Sequence, residues 1–131
     1  MSTYVILTTL NGPGGVPLAV RYVAPNYSVI LEAFTPHNIP NNQKWRINPA
    51  APGPLLPITA EDEEAVQASN LIVALSLRNP VSWRFNGDSG TTITNVNNGE
   101  VWAASQLAVG APVTIGADTG SPQQSWNLRR V

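Results

Sequence analysis

The stretch "NNQKWRI", residues 41–47, decides the fold, because its pattern returns twice along the chain. Residues 79–85 read "NPVSWRF" and residues 122–128 read "PQQSWNL". In each stretch a Trp follows a polar or proline run and precedes an aliphatic or aromatic side chain by two positions. Trp45, Trp83 and Trp126 are 38 and 43 residues apart. Self-similarity at a spacing of roughly 20–50 residues indicates repeated supersecondary units.

The segments between these Trp residues consist of short runs that alternate or are continuously apolar. Asn-Gly pairs at 11–12, 86–87 and 98–99 are typical of tight hairpin turns. Many short strands separated by turn residues predict an all-β barrel or sandwich. The predicted strands are residues 4–10, 17–23, 28–34, 44–47, 71–77, 82–85, 91–96, 100–105, 111–117 and 125–128.

The segment from Ile58 to Leu75 is the one helical candidate, because "AEDEEAVQASN" holds good helix formers and an acidic first turn. The alternation in "LIVALSL" (71–77) favours a strand instead. The acidic run "EDEE" (61–64) lacks the regular ligand spacing of a calcium site, so we interpret it as a solvated turn.

Aligning the Trp residues divides the chain into three units of four strands, with approximate limits 1–52, 53–90 and 91–131. "YVIL", "LPIT" and "TTIT" form the first strands; "VPLAV", "EAVQA" and "EVWAA" form the second; the fourth carries the Trp. No unit of this size can bury its own apolar face, so the three Trp residues are predicted to share one core. Replacing any of them by Ala is expected to cost about 3–5 kcal/mol.

Composition excludes several functional classes. A net charge of −1 gives no electrostatic footprint for nucleic acid or anionic membranes. The absence of Cys excludes disulfides and thiolate metal sites, and no apolar run is long enough for a transmembrane helix. Only 11% of residues are charged, which suits a surface that hydrogen-bonds neutral ligands through Asn, Gln, Ser and Thr and is also common in turn-rich β proteins.

The stretches "NQKW" and "QQSW" resemble the Q-x-W motif of ricin-B-type β-trefoils, at Gln43 with Trp45 and at Gln124 with Trp126. The second unit keeps Trp83 but has Val81 in place of Gln. The resemblance implies a single β-trefoil domain over residues 1–131, similar to fungal lectins and to related fungal protease inhibitors. The start of the chain does not read as a secretory signal, so a cytoplasmic protein is expected.

The resemblance also implies, for each unit, a sugar pocket with an Asp on the second strand and an aromatic platform on the third. The Asp positions are predicted at Ala19, near Gln67 and at Ala103, and the aromatic positions near Glu32, Ser76 and Gly116. None of the units has the usual set, so a galactose-type pocket is not expected.

A different glycan is expected to bind through the long first-unit stretch 23–42. Its candidate residues offer stacking surfaces and neutral hydrogen-bonding groups: Tyr27, Glu32, Phe34, His37, Asn38, Asn41 and Asn42. The alternative is a surface loop whose Tyr and Phe cover the barrel. In the third unit, Asp118 and Gln123 with the stretch 95–102 predict a second shallow polar site, against the simpler reading of a hairpin turn at Asn98-Gly99.

Proline-rich stretches suggest a second function. Residues 35–40, "TPHNIP", and 48–57, "NPAAPGPLLP", are stiff and extended, as a loop inserted into a protease cleft would be. A plain connector between the first two units also accounts for the second stretch.

The sequence therefore predicts a carbohydrate-binding protein that is not an enzyme. No catalytic or phosphate-binding motif is present, His37 alone cannot hold a metal, and no cofactor is expected. The expected partner is a glycan or glycoprotein, with no nucleic acid and no membrane insertion. The alternatives are a protease inhibitor and a lectin-like subunit that binds another protein instead of sugar.

Overall fold

The structure, a computed structural model, describes residues 2–76 and 81–131. Within these residues the chain forms twelve strands and three short 3-10 helices, Pro13–Gly15, Asn41–Gln43 and Pro122–Gln124. The strands are β1 (Ser2–Asn11), β2 (Pro17–Arg21), β3 (Ile30–Ala33), β4 (Trp45–Ile47), β5 (Leu56–Pro57), β6 (Glu63–Ala68), β7 (Leu71–Ser76), β8 (Trp83–Phe85), β9 (Ile93–Asn95), β10 (Val101–Ala103), β11 (Thr114–Gly116) and β12 (Trp126–Arg130). The all-β prediction is confirmed. Residue 77 of the predicted strand 71–77 and residues 79 and 80 of the second Trp stretch lie outside the described residues.

Six strands form a closed barrel. Strand β1 pairs with β12 on one side and with β4 on the other, β4 pairs with β5, and β8 pairs with β9, all antiparallel. Two bridges complete the ring, Gly53 with Trp83 and Thr91 with Trp126. Tyr4 pairs with Trp45 in the same way. The three Trp residues therefore lie at the same level of the barrel, each at the start of its strand. Their partners Tyr4, Gly53 and Thr91 are equivalent residues of the three units.

Three hairpins, β2–β3, β6–β7 and β10–β11, cover one end of the barrel as a cap. Their tips are joined by a cycle of backbone hydrogen bonds. Val29 N–H donates to the Ile72 carbonyl (2.9 Å), Ile72 N–H to Val113 (3.3 Å), and Val113 N–H to Val29 (3.0 Å). All three residues are buried. The ring ties every unit to both of the others.

The core lies inside the barrel and beneath the cap. Trp45, Trp83 and Trp126 are fully buried, and each indole N–H donates to a backbone carbonyl on its own unit's second strand. The acceptors are Val20 (3.0 Å), Ala65 (2.9 Å) and Trp102 (3.2 Å). The prediction that the three Trp residues share one interior is confirmed.

The second unit agrees with one prediction and departs from another. Its second strand forms as predicted and the helical candidate over 58–75 does not, because β6 and β7 pair in register from Glu63 with Ser76 to Ala68 with Leu71. Its first strand was predicted wrongly: it is displaced from "LPIT" by three residues, since Gly53 rather than Leu56 pairs at the Trp level. Leu55 thereby takes the buried core position that Ile6 and Ile93 hold in the other units.

The acidic run 61–64 is a solvated turn only at its start. Glu61 and Asp62 are exposed, and Glu61 pairs with Arg46 at 2.9 Å. Glu63 and Glu64 belong to β6 and are buried. The local sequence is uniformly polar, but both carboxylates are buried by residues distant in sequence. Glu63 accepts the Tyr22 hydroxyl, and Glu64 accepts the Val81 N–H.

Candidate carbohydrate-binding surface

The Gln residues that precede Trp45 and Trp126 fasten the loop before the fourth strand. Each is buried at the end of a 3-10 helix. Gln43 donates from Nε2 to the Ala33 carbonyl (3.2 Å), and Gln124 donates from Nε2 to the Ala117 carbonyl (2.7 Å). Ala33 and Ala117 are equivalent residues, each four positions after the residue of its unit that joins the hydrogen-bond cycle of the cap. These Gln side chains are part of the framework, so they are not free to bind a ligand.

Glu32 lies on β3 within a small charged cluster. Its Oε2 accepts from Arg21 Nη1 at 2.7 Å, and its Oε1 accepts from Gln43 Nε2 at 2.8 Å. Both carboxylate oxygens are thus engaged inside the protein, and the pair is only partly exposed. Glu32 therefore acts as a brace between β2, β3 and the 3-10 helix.

Phe34 is buried in a second, smaller cluster outside the barrel. It packs with Val5, Leu7 and Ala19, and Ile39 covers it. The guanidinium of Arg129 lies 5.7 Å from the centre of its ring. Its ring has no free face for a sugar, so at this residue the alternative interpretation, a side chain that covers the barrel, describes the geometry.

Tyr27 has the exposed aromatic ring of the candidate set, with 62% of the residue accessible. It borders an open groove of about 370 Å³ at the loop that joins β2 to β3, together with Val23, Ser28 and Ile30. The preceding Asn26 has a φ of +68°, in the left-handed region that Asn tolerates in turns. The groove offers an apolar wall and a platform for stacking.

The amide residues of the first unit lie on the segment that follows β3. Asn38 and His37 are exposed in a turn closed by Asn38 N–H to the Thr35 carbonyl (3.1 Å). Asn41 is exposed, and its Oδ1 accepts from Lys44 Nζ at 3.1 Å. Asn42 accepts the Tyr22 N–H through its carbonyl at 2.8 Å. That hydrogen bond places Asn42 beside Tyr22, the residue that follows β2.

Tyr22, next to the amide segment, links the first unit to the second. Its hydroxyl donates to Glu63 Oε2 at 2.9 Å, joining the first and second units. Burial, followed by the hydrogen bond to Glu63 and the charges of Glu63 and Asp62, raises the pKa of Tyr22 to about 12. The phenol therefore remains a proton donor throughout the physiological range.

Asp118 and Gln123 do not join the first-unit residues. Asp118 Oδ1 accepts the Gly120 N–H at 3.0 Å, and the Gln123 carbonyl accepts the Ala104 N–H at 2.9 Å. Both side chains are exposed on the loop before β12. They stay a prediction for a separate polar surface of the third unit.

A polar network that the sequence did not predict links the second and third units. Gln67 Oε1 accepts from Asn95 Nδ2 and Asn98 Nδ2, both at 3.0 Å. Gln67 Nε2 donates to Glu100 Oε1 at 2.9 Å and to the Ser69 carbonyl at 3.1 Å. The Asn98-Gly99 turn is present, with Gly99 at φ +75°. The amide of Gln67 is saturated, so this network stabilises the contact between units.

The positions at which the resemblance implied an Asp are not equivalent to one another in the structure. Val20, Ala65 and Trp102 each accept a core indole, so Ala103 corresponds to Arg21 and Val66 rather than to Ala19 and Gln67. None of Arg21, Val66 and Ala103 is acidic. The residues equivalent to Ala19 are Glu64 and Val101, and the carboxylate of Glu64 is buried.

Residues 2–76 and 81–131 lack two kinds of feature. No group of three or more His, Asp or Glu side chains there is arranged to hold a metal ion. The same residues include no helix with the length and apolar character needed to cross a membrane.

The chain resembles a known protein family and several solved structures. The model of the CCL2 lectin-like family matches residues 2–126. No curated protein matches the chain at the sequence level.

Among solved structures the chain is similar to the Macrolepiota procera ricin B-like lectin in complex with lactose, with 18% identity, a TM-score of 0.76 and coverage of 98% of this chain and 95% of that one. The earthworm R-type lectin C-half in complex with GalNAc has 17% identity, a TM-score of 0.75 and coverage of 100% of both chains. The designed three-fold symmetric protein ThreeFoil has 17% identity, a TM-score of 0.73 and coverage of 98% and 99%. These similarities confirm the β-trefoil fold.

Proposed function

Because the chain belongs to the CCL2 lectin-like family, we propose that it is a lectin without catalytic activity, which binds a neutral glycan on the surface of its first unit. The similar ricin B-like and earthworm proteins were solved with lactose and with GalNAc, which supports a saccharide as the class of ligand. The low proportion of charged residues, 11%, fits a neutral ligand.

The observation that carries this proposal is the exposed Tyr27 ring beside a groove, with neutral amides on the neighbouring segment. Tyr27 offers its face for stacking on the apolar side of a sugar ring. Asn38 and Asn41 offer amide groups that donate to and accept from vicinal hydroxyls. Glu32 and Phe34 are left out of direct contact, since one is engaged by Arg21 and Gln43 and the other is buried.

A glycan array tests the proposal with the wild type and with Tyr27→Ala and Asn38→Ala. We expect the wild type to bind a defined set of glycans, and each variant to lose at least about tenfold in affinity through lost stacking or a lost hydrogen bond. Val109→Ala, at an exposed apolar residue of the third unit, is the matched control and should bind as the wild type does. A blank array for the wild type contradicts the proposal.

The inhibitor alternative relies on proline-rich stretches, of which 35–40 is largely exposed and 48–57 is tied to the barrel. The stretch 48–57 is held to the barrel by the Gly53 pairing with Trp83 and by Ala65 N–H to the Leu55 carbonyl (2.9 Å), as a connector would be. Titration against papain and trypsin separates the two functions, since an inhibitor gives stoichiometric inhibition and a lectin gives none. If the chain is instead a lectin-like subunit that binds another protein, we expect a blank array and a protein that co-purifies with the chain.

A further inference from the structure

A second groove opens at the end of the barrel opposite the cap. Its volume is about 530 Å³, and its lining includes Ser2, Tyr4, Ile47, Asn48, Pro49 and Asp88. It lies between the start of β1, the end of β4 and the loop after β8. The pairing of Ser2 with Ile47 fixes one wall, and Leu128 N–H to the Asp88 carbonyl (2.7 Å) fixes the other. The backbone of the site is therefore part of the rigid barrel.

The polar groups of this groove are free, in contrast to those of the other polar clusters. Among residues 2–76 and 81–131, no side-chain hydrogen bond or ion pair engages the Ser2 hydroxyl, the Tyr4 hydroxyl or the Asp88 carboxylate. Asn48 Oδ1 accepts the Ala50 N–H at 3.2 Å, which orients its amide and leaves Nδ2 available. Around Gln67 and around Glu32, by comparison, the polar atoms are already paired with one another.

The walls of the groove combine these groups with apolar surface. Tyr4 is partly buried against the core and contributes a ring, and Ile47 and Pro49 contribute aliphatic surface. The lining thus combines a ring for stacking with a carboxylate and an amide for hydroxyl groups, and its described residues include no cationic side chain. This combination suits a neutral saccharide. A phosphate or sulfate would be repelled by Asp88.

We propose that this groove is a second saccharide site, in which Asp88 and Asn48 bind hydroxyl groups and Tyr4 stacks on a sugar ring. The class of ligand rests on the proposed function, whereas the site itself rests on the geometry of the groove. The Tyr27 surface adjoins the cap hairpin and the groove lies at the opposite end of the barrel. A single chain would then hold two glycans facing away from each other and could cross-link glycoproteins without forming an oligomer.

The test is a titration of the full-length, ¹⁵N-labelled chain, followed by NMR, with the methyl glycosides of glucose, galactose, mannose, fucose and N-acetylglucosamine. We expect at least one of them to shift the amide signals of Asn48, Gly87 and Asp88. In Asp88→Ala and in Tyr4→Leu the apparent affinity for that sugar should fall about tenfold or more. Asp88→Ala keeps its backbone hydrogen bond to Leu128, so it tests the site even where Tyr4→Leu perturbs folding.

Asp62→Ala removes an exposed carboxylate away from the groove and should titrate as the wild type does. The proposal is overturned if no neutral sugar shifts these amides, or if the shifts persist unchanged in Asp88→Ala. It is also overturned if glucosamine, which is cationic, produces the shifts and the neutral sugars do not. Tyr27→Ala separates the two proposals, since it should abolish shifts near Ser28 and leave those at Gly87 and Asp88 intact.

Discussion

Trp102 breaks the three-fold pattern of the core at a single residue. The equivalent positions hold Val20 and Ala65, whereas the indole of Trp102 fills the middle of the core. It lies edge-on to Trp83 at 5.4 Å and to Trp126 at 6.2 Å, ring centre to ring centre. Its Nε1 is buried and has no hydrogen-bond partner among residues 2–76 and 81–131. Trp102 therefore stabilises through packing while carrying an unsatisfied donor.

We expect Trp102→Phe to cost less stability than Trp126→Phe. Both changes remove the same volume, but only Trp126 donates an indole hydrogen bond, at 3.2 Å to the Trp102 carbonyl. Losing that bond adds about 1 kcal/mol, while losing the unsatisfied Nε1 of Trp102 removes a penalty of about the same size. Urea unfolding of both variants measures the difference. Equal losses, or a larger loss for Trp102→Phe, would contradict this account.

Glu64 makes stability depend on pH. Its carboxyl is buried at the position of Ala19 and Val101. Oε1 accepts the Val81 N–H at 2.8 Å, and Oε2 has no partner within the described part of the chain. Burial raises the pKa of Glu64 above its usual 4.5, while the hydrogen bond from Val81 acts in the opposite sense. A carboxyl with a raised pKa in the folded state favours folding while protonated, so its contribution is complete below pH 4.5 and is lost as the pH rises through the folded pKa.

The free energy of unfolding of the wild type, relative to Glu64→Gln, should therefore fall as the pH is raised from 4.5. Urea unfolding at a series of pH values measures this difference. Glu61→Gln changes an exposed carboxylate of the same run and should leave the fall in place. A difference that stays constant with pH would show that Glu64 is not the responsible group.

At the scale of elements, the 3-10 helix before β12 depends on Gln124. The side chain joins the end of the third strand to the following loop, donating to the Ala117 carbonyl at 2.7 Å and accepting the Thr119 N–H at 2.9 Å. Gln124→Met preserves the length of the side chain and leaves both backbone groups without their partner. We expect a loss of about 2 kcal/mol in the free energy of unfolding.

Gln123→Met is the matched control for this prediction. Gln123 is the preceding residue of the same 3-10 helix, and its side chain is exposed and has no hydrogen bond within the described part of the chain. Its replacement should change stability by no more than about 0.5 kcal/mol. Equal effects of the two substitutions in urea unfolding would mean that the Gln124 amide does not fasten the loop.

Strands were predictable from the sequence where the residue pattern itself favours a strand at a fixed position. The Trp residues gave the number of units, because a large aromatic at a fixed spacing must find an equivalent core position. In the second unit, "EDEEAVQA" suits a helix locally, and its pairing with β7 makes "EAVQA" the strand that its place in the repeat predicted. The position of the first strand of this unit was predicted wrongly. The displacement of its first strand to Gly53 comes from a bridge to Trp83, thirty residues away.

The exposure of some candidate residues was predictable, and the contacts of the others were not. Exposed Tyr27 and Asn38 follow from a polar turn, whereas the burial of Phe34 depends on Val5 and Leu7 of β1. No sequence pattern near Tyr4 or Asp88 indicated the groove that these residues line. Its walls come from residues more than eighty positions apart that meet because the barrel closes.

The whole molecule is held by two closed rings of hydrogen bonds. The barrel strands form one ring and the cycle of Val29, Ile72 and Val113 forms the other. Each unit contributes one third of both rings and one of the three equivalent Trp residues to the common core, to which the third unit adds Trp102. No unit can then unfold without opening the other two, so the chain should unfold in a single transition.

Trp83→Ala tests this in the unit whose Gln is replaced by Val81. Removing the buried indole should lower the free energy of unfolding by about 3–5 kcal/mol, as expected for a Trp in a shared core. Hydrogen exchange should then speed up equally at the amides of Val29, Ile72 and Val113, because all three exchange through the same global opening. Val109→Ala, on the surface, should change none of them. Faster exchange confined to Ile72, the amide of the mutated unit, would show that the second unit opens alone and that the rings do not couple the three units.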